Sequence, residues 1–479
     1  MTMENRTTGT TGTTTGIRSK RTKTRALLLA SATALAAWTT ACSSAAGGEA
    51  EEKPVTEEGK TPVTVSVVED SRFLQEAEAA FEAEHPDIDV QIQPYIAAPE
   101  GGGGRVMVGD ERRNDADVEK YRTTVSTELM AGKGADLIAV ETLAYEKFAS
   151  RGMFADLSKL MANDAAFKPE DYRQNIFDAV KVGGAQAALP IRFGLEVILA
   201  NRPVLEQAGI QIDEKAWGVS DLLAAGRKAV ETQGGAVQAI LAGTTAADVL
   251  GDVVQTQFDD FVDAEAKTAS FDSESFVSLM KELKALEEEG LIVASEETAM
   301  QGFDVFKKMN FQRPMDLLLM PQIVYGGQGA VYSAPGSGGE GIAFDSDFLL
   351  AVNERSQVKE EAWLFLKFLL SPERQAHPML GGYPVHKAAL TEQLKAVVEM
   401  MSNGRMRIQG PNGATPKAPE EADFAKVDAL VERAGVYAGS DPQIVGIVRE
   451  EAASFFEGGA TAEAAAELIQ NRVTTYLNE

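Results

Sequence analysis

The stretch Ala187-Ala188-Leu189-Pro190-Ile191-Arg192-Phe193-Gly194-Leu195-Glu196-Val197-Ile198-Leu199-Ala200-Asn201-Arg202 decides how the chain folds. One apolar run of strand type enters Pro190, and a second runs from Leu195 to Ala200. Asn201-Arg202-Pro203 then opens a short helical pattern that stops at Gly209. Proline has no amide to give to an interior ladder, so Pro190 is expected at a strand end or a sheet edge. The stretch reads as the place where the chain leaves one lobe and enters a second.

Upstream, Val63, Val65 and Val67 alternate with Thr64 and Ser66 as in a strand, and Asp70-Ser71 can cap a helix carrying Phe73, Leu74, Ala77 and Phe81 at helical spacing. His85-Pro86 stops that helix, and Ile88, Val90 and Ile92 alternate as a second strand. A strand–helix–strand unit of this kind favours a parallel sheet with helices on its faces. A helix over Val118–Ala131 and a strand over 134–140 follow. Downstream, helices are expected over Trp217–Thr232, Thr244–Phe261, Ser273–Glu289, Ala299–Asn310 and Lys359–Leu370, with strands at Val237–Leu241, Leu317–Met320 and Ile342–Val352. Pro321 marks a second crossing between lobes, and three more helical periods close the chain. With 479 residues the chain exceeds one ordinary core. The pattern gives lobe one as 62–190 plus 321–370 and lobe two as 191–320 plus 371–479.

The net charge is −27, and without the first 41 residues 39 basic and 71 acidic side chains leave −32. Such a surface repels nucleic acid and anionic lipid. The single cysteine, Cys42, excludes an intramolecular disulfide, and three scattered histidines exclude a His/Cys zinc site, so no metal and no cofactor is expected. Gly101–Gly104 lacks the Gly-Lys-Ser/Thr of a phosphate cradle, and Gly336, Gly338 and Gly341 precede a strand rather than a helix, against a dinucleotide site. There is no Gly-x-Ser-x-Gly elbow and no His-Glu-x-x-His, so an enzyme is not expected, although spacing in sequence does not test for paired carboxylates of the kind that hydrolyse glycosides.

Arg18, Lys20, Arg21, Lys23 and Arg25 precede an apolar run from Ala26 to Trp38, too short to span a bilayer, and small residues lead to Cys42. That order reads as a secretory signal over 1–41. Residues 42–61 are rich in Ser, Ala, Gly and Glu and read as a flexible tether.

Several segments resemble one family in order. Leu189-Pro190, Asn201, Leu205, Glu206 and Ala208-Gly209 fit its "ALP…YN-K-LFEKAG" stretch, with Leu199-Ala200 where a tyrosine pair is usual. Glu82, Pro86, Ile88 and Val90 fit its opening, and Ala131–Ile138 its "AGxGPDI" segment. Ala362 to Gln375 resembles its "AW-FLKFL-SPE-Q" helix almost residue for residue, and Gly382–Lys387 the turn after it. The family is the maltose-binding-protein-like family 1 of extracellular solute-binding proteins, the receptors of ABC importers, and the C-terminus resembles its Gram-positive members. Cys42 after Ala41 resembles a lipobox, with Thr39 where leucine is usual.

The resemblance implies a two-lobe α/β venus-flytrap fold of type II, with the ligand between the lobes at the carboxyl ends of strands. It further implies lipidation at Cys42, an outward-facing protein anchored to the cell membrane, an ABC permease as partner, a monomer, and a carbohydrate as solute. The loops selected hold Asp70, Ser71 and Arg72 after the first strand, Glu141, Thr142 and Tyr145 after the third, and Arg192, Phe193 and Glu196 at the crossover. They also hold Thr244 and Thr245, Tyr325 after the second crossing, and Tyr383 in the last turn. Asp70 and Ser71 also read as helix caps and Phe193 as core, while Trp217 and Trp363 read as packing residues. A receptor for a non-sugar solute such as a peptide, or a structural or adhesive lipoprotein, remains the alternative.

Overall fold

The computed structural model describes residues 53–96, 115–264, 266–295, 301–336, 341–408, 415–439 and 441–479. Cys42 and the expected signal and tether up to residue 52 lie outside the described residues. No helix among the described residues is long and apolar enough to cross a membrane.

The first strand, β1 (Thr61–Glu69), buries Val63, Val65 and Val67. Ser71 Oγ accepts from the Leu74 amide and starts the helix Arg72–Glu84, which buries Phe73, Leu74, Ala77 and Phe81 against the sheet. The chain returns as β2 (Ile88–Ile96), parallel to β1, and then as β3 (Leu137–Ala139) on the other edge of β1. The expected strand–helix–strand unit is therefore present.

The fourteen-residue β4 (Ala188–Asn201) is the spine of an eleven-stranded sheet. The other members are β5 (Ala239–Ala242), β8 (Ile292–Val293), β9 (Asp304–Phe311), β10 (Gly329–Ser333), β11 (Ile342–Val352), β12 (Tyr383–Pro384) and β13 (Ala434–Tyr437); β6 (Val262–Asp263) and β7 (Thr268–Ala269) pair apart as a small hairpin. The main path runs β2-β1-β3-β11-β4-β9-β5-β8, with β10 and β12 also on β4 and β13 on β11. The first half of β4 pairs with β11 and β12, the second half with β9 and β10. Pro190 is buried as the third residue of β4, where that strand pairs with β11 alone among the described residues, so it lies at a strand end beside an unpaired side of the ladder, as expected. The β4–β11 register shifts between Phe348 and Leu349, opposite it, and the irregular ladder accommodates the missing amide.

Two hydrophobic cores share this spine. The first takes Leu189, Ile191, Phe193, Leu195 and Val197, and the second takes Ile198 and Ala200. Strand β9 crosses back, with Val305 and Phe306 in the second core and Phe311 in the first. A third passage lies between Ala434, in the first core, and Ile444, in the second. Residues 371–434, expected with the second lobe, pack in the first core through Leu380, Tyr383, Val385, Leu390, Phe424 and Val431. The cause is β12, which pairs Tyr383 with Phe193 and stacks their rings 5.4 Å apart.

Two element assignments also change. Residues 304–311, expected as the end of a helix, form β9, and Leu317–Met320, expected as a strand, lies in the helix Asp316–Tyr325 with Pro321 inside it. A short apolar run does not separate strand from helix by periodicity alone.

Candidate functional site

The carboxyl ends of β1 and β3 lie side by side, and β4 runs parallel to them through β11. Where these ends meet there is a 160 Å³ cavity lined by Asp70, Ser71, Glu141, Arg192, Asp347 and Phe348. Four of the expected site residues are thus brought together. Asp70 Oδ2 accepts from Gln75 Nε2 at 2.5 Å, while Asp70 Oδ1 is buried with no hydrogen-bond partner among the described residues. Glu141 Oε2 lies 3.5 Å from the Leu349 amide. Arg192 holds a wall of the cavity: Nε and Nη2 donate to the two Asp347 oxygens at 2.6 and 2.9 Å, and Nη1 donates to the Leu380 carbonyl at 2.7 Å. Its guanidinium lies 5.6 Å from the centre of the Phe348 ring. The bidentate pair fixes the arginine plane, so Arg192 shapes the cavity with donors already engaged.

On the other side of the strand crossing, the end of β5 forms a second, 60 Å³ cavity. It is mostly apolar, with Val219, Leu222, Val249 and Val253, and its polar members are Thr244, Thr256, Glu196, Asp252 and Lys308. Thr245 beside it caps the helix Ala246–Thr256, its hydroxyl accepting from the Asp248 amide and donating to Asp248 Oδ2.

A larger, 770 Å³ cavity opens between the two cores. The helix Tyr145–Ser150 supplies Tyr145, Glu146 and Lys147 from the first; Phe258, Asp441, Ile444 and Tyr476 come from the second. Lys147 Nζ bridges this gap, donating to the Tyr476 carbonyl at 3.3 Å and lying 4.5 Å above its ring. The Tyr476 hydroxyl donates to Asp441 Oδ2 at 2.8 Å. Burial holds the Glu146 carboxyl above its ordinary range, and Asp259 and Asp441 add to the effect. Burial likewise raises Asp441 and lowers Lys147. Acidic and basic side chains from both cores line this cavity.

The remaining expected residues serve elsewhere. Phe193 is fully buried between Tyr383 and Phe344. Tyr383 is buried with it, and Tyr325 donates to the buried Asp304 at 2.7 Å, far along β9 from the crossing. Tyr145 borders the large cavity, yet its hydroxyl is committed to the Val180 carbonyl at 2.6 Å. Arg72 is exposed on the first turn of its helix and does not line the first cavity. Thr142 presents its carbonyl to Arg122 Nε at 2.8 Å, and its Oγ1 is buried without a partner. Trp217 and Trp363 are both buried; Trp363 Nε1 donates to Asp164.

Glu196 is only 5% exposed and belongs to a polar node. Lys308 Nζ lies 3.2 Å from Glu196 Oε2 and 2.8 Å from Asp252 Oδ1. Asn310 Nδ2 donates to Glu196 Oε1 and to Asp345 Oδ2, both at 2.9 Å. The sequence reading missed Lys308, Asn310, Asp345 and Asp347. A signal was present for the last two: Asp345-Ser346-Asp347 interrupts the apolar run of β11. Among the described residues, no group of three or more His, Cys, Asp or Glu side chains could hold a metal ion.

Comparison with known structures finds the same architecture. An ABC substrate-binding protein from Listeria monocytogenes, solved with cycloalternan, is 18% identical, with 88% of this chain and 99% of that one covered and a TM-score of 0.53. The sugar-binding protein MalE from Xanthomonas citri is 17% identical over 87% and 98% of the two chains, at a TM-score of 0.58. The GacH receptor of Streptomyces glaucescens, solved unliganded and with acarbose, is 18% identical over 87% and 98%, at 0.51. These likenesses show a two-lobe binding-protein fold of type II. A comparison with curated protein sequences finds no match. The family model for bacterial extracellular solute-binding proteins matches residues 65–376, well over half of the chain, and with the two cores joined by two crossing strands it places the chain in that family.

Proposed function

We propose that the protein captures a sugar or oligosaccharide in the cleft between its lobes, outside the membrane, and delivers it to an ABC permease. The observation that carries this reading is the cavity at the ends of β1 and β3, where Asp70 Oδ1 is buried without a donor. A carboxylate oxygen in that position is completed by a hydroxyl, and a polyol offers several. Glu141 and Ser71 add polar groups within the same cavity. The sugar-bound and acarbose-bound relatives of the same fold support the same solute class. The lobes follow the two cores, 61–197 with 311–437 and 198–310 with 441–479. The protein acts as a receptor and not as an enzyme, and it is held at the cell surface by a lipid on Cys42.

The test is the melting temperature of a soluble Ser43–Glu479 form against a panel of sugars, oligosaccharides, polyols and peptides. A ligand at about one hundred times its dissociation constant adds about 2.7 kcal/mol, enough for a shift of a few degrees. A shift with one sugar class, lost in Asp70→Ala, is the expected result; a shift with peptides alone would replace the solute class. Lipidation is tested by expressing Cys42→Ser in cells, which should move the protein from the membrane fraction to the medium.

A further inference from the structure

The node around Glu196 stands where both crossing strands pass between the cores. Glu196 is on β4, two residues before that strand enters the second core; Lys308 and Asn310 are on β9; Asp345 is on β11, whose apolar residues pack in the first core. Asp252, from the helix Ala246–Thr256 of the second core, completes the Lys308 pair and is itself held by Arg449 of the helix Pro442–Phe456 at 3.2 Å. Gly194 makes the approach possible. A Cβ on it would lie 2.7 Å from Asp345 Oδ1, 2.7 Å from Gln312 Nε2 and 2.8 Å from Asn310 Oδ1. Side chains from β9, the residue after it and β11 therefore close over a bare backbone at the crossing. A movement of one lobe against the other must shear this cluster.

We propose that the node is a proton-sensitive hinge pin: it sets how far the two lobes stand apart before any solute arrives, and its assembly takes up a proton at Glu196. Burial pushes the Glu196 carboxyl up to about 7; Lys308 opposes that rise, while Asp345 and Asp252 reinforce it. Lys308 is itself held above its usual range, because Glu196 and Asp252 together outweigh its burial. Asp345 is raised by burial, with Asp347 adding to it. When the strands shear and water reaches Glu196, its affinity for a proton falls back toward that of an ordinary glutamate. The assembled arrangement thus binds the proton more tightly. Its population rises as pH falls through neutrality and drops as pH rises through the same range.

The experiment uses the ligand-free protein, so it fails or succeeds independently of the solute class. Small-angle X-ray scattering would be recorded between about pH 5.5 and about pH 8.5, with the ratio of compact to extended forms expected to change about tenfold or more across neutrality. Glu196→Gln keeps the acceptor for Asn310 and cannot ionise; it should remain in the compact form at every pH. Lys308→Met removes the cation that favours ionised Glu196 and should move the midpoint upward. Glu146→Gln, which alters the cleft carboxyl on the other side, should leave the transition in place. An unmodified protein with one radius of gyration at all pH values overturns the proposal, and needs no variant. So does a transition that persists in Glu196→Gln or disappears in Glu146→Gln.

Discussion

Two polar regions lie within a few residues of each other along β4 and are built on opposite plans. At Arg192 the strand borders a cavity, and a carboxylate oxygen of Asp70 waits there without a donor. At Glu196 the strand carries a polar node instead: Lys308 bridges Glu196 and Asp252, Asn310 donates to Glu196 and Asp345, and the cavity beside them is mostly apolar. The difference lies in what faces Gly194. The missing side chain lets the neighbouring strands close over the backbone, whereas Arg192 is drawn aside onto Asp347 and leaves room beyond it. A carboxylate oxygen facing room for a polar group is suited to a ligand; groups tied to one another across two lobes are suited to holding those lobes in register.

The sharpest way to break this division is at Phe193, which points away from both regions into the first core. Phe193→Ala should lower the unfolding free energy by about 3–5 kcal/mol in urea titration, because it leaves a cavity between Tyr383 and Phe344. A ligand contact there would instead lose affinity with stability intact. Gly194→Val should cost about 1–3 kcal/mol by overpacking the node, read in the same titration, with Asn310, Gln312 and Asp345 displaced. Asp70→Ala should leave the melting temperature of the free protein within a degree or two but weaken solute binding about ten- to a hundredfold by calorimetry, the loss of one hydrogen bond to a charged group. The smallest effect is expected at Tyr383, whose hydroxyl is buried without a partner. Tyr383→Phe should be neutral or stabilising by about 0.5 kcal/mol, since it removes an uncompensated polar group.

The elements with plain periodicity were legible in the sequence. Alternating valines, a serine cap and a proline stop define β1, its helix and β2, and each is observed. The spine β4 and the crossing it makes were legible for the same reason. Strand β9 was not, because Phe303, Phe306 and Met309 fall at helical spacing. Its polar positions escape the usual penalty through local pairing: Lys307 Nζ reaches the buried Asp304 at 2.7 Å, and Lys308 reaches Glu196 and Asp252. Misreading β9 hid Lys308 and Asn310, and with them half of the node. The assignment of 371–434 failed for a related reason. A two-residue strand, Tyr383-Pro384, ties the described part of that segment to the first core, and two residues carry no period. Among the candidate residues, Asp70, Ser71 and Glu141 were chosen by their place at strand ends, a backbone property, and the structure brings them to one cavity. The aromatic candidates were also chosen by their place at the crossings and the last turn, but position in the chain does not tell which way a ring points, and Phe193, Tyr325 and Tyr383 are taken up by packing.

The two tryptophans of the body have an optical consequence. Trp363 lies in the first core and Trp217 in the second, both shielded from solvent. Each half of the molecule therefore contains its own emitter, and neither indole lines a described cavity. Capture of a solute should scarcely alter the emission colour, while loss of either core should shift it to the red. With Trp217→Phe the signal reports the first core alone, and with Trp363→Phe the second. The order in which the halves of a body joined by two shared strands come apart can then be followed by fluorescence in the unlabelled protein.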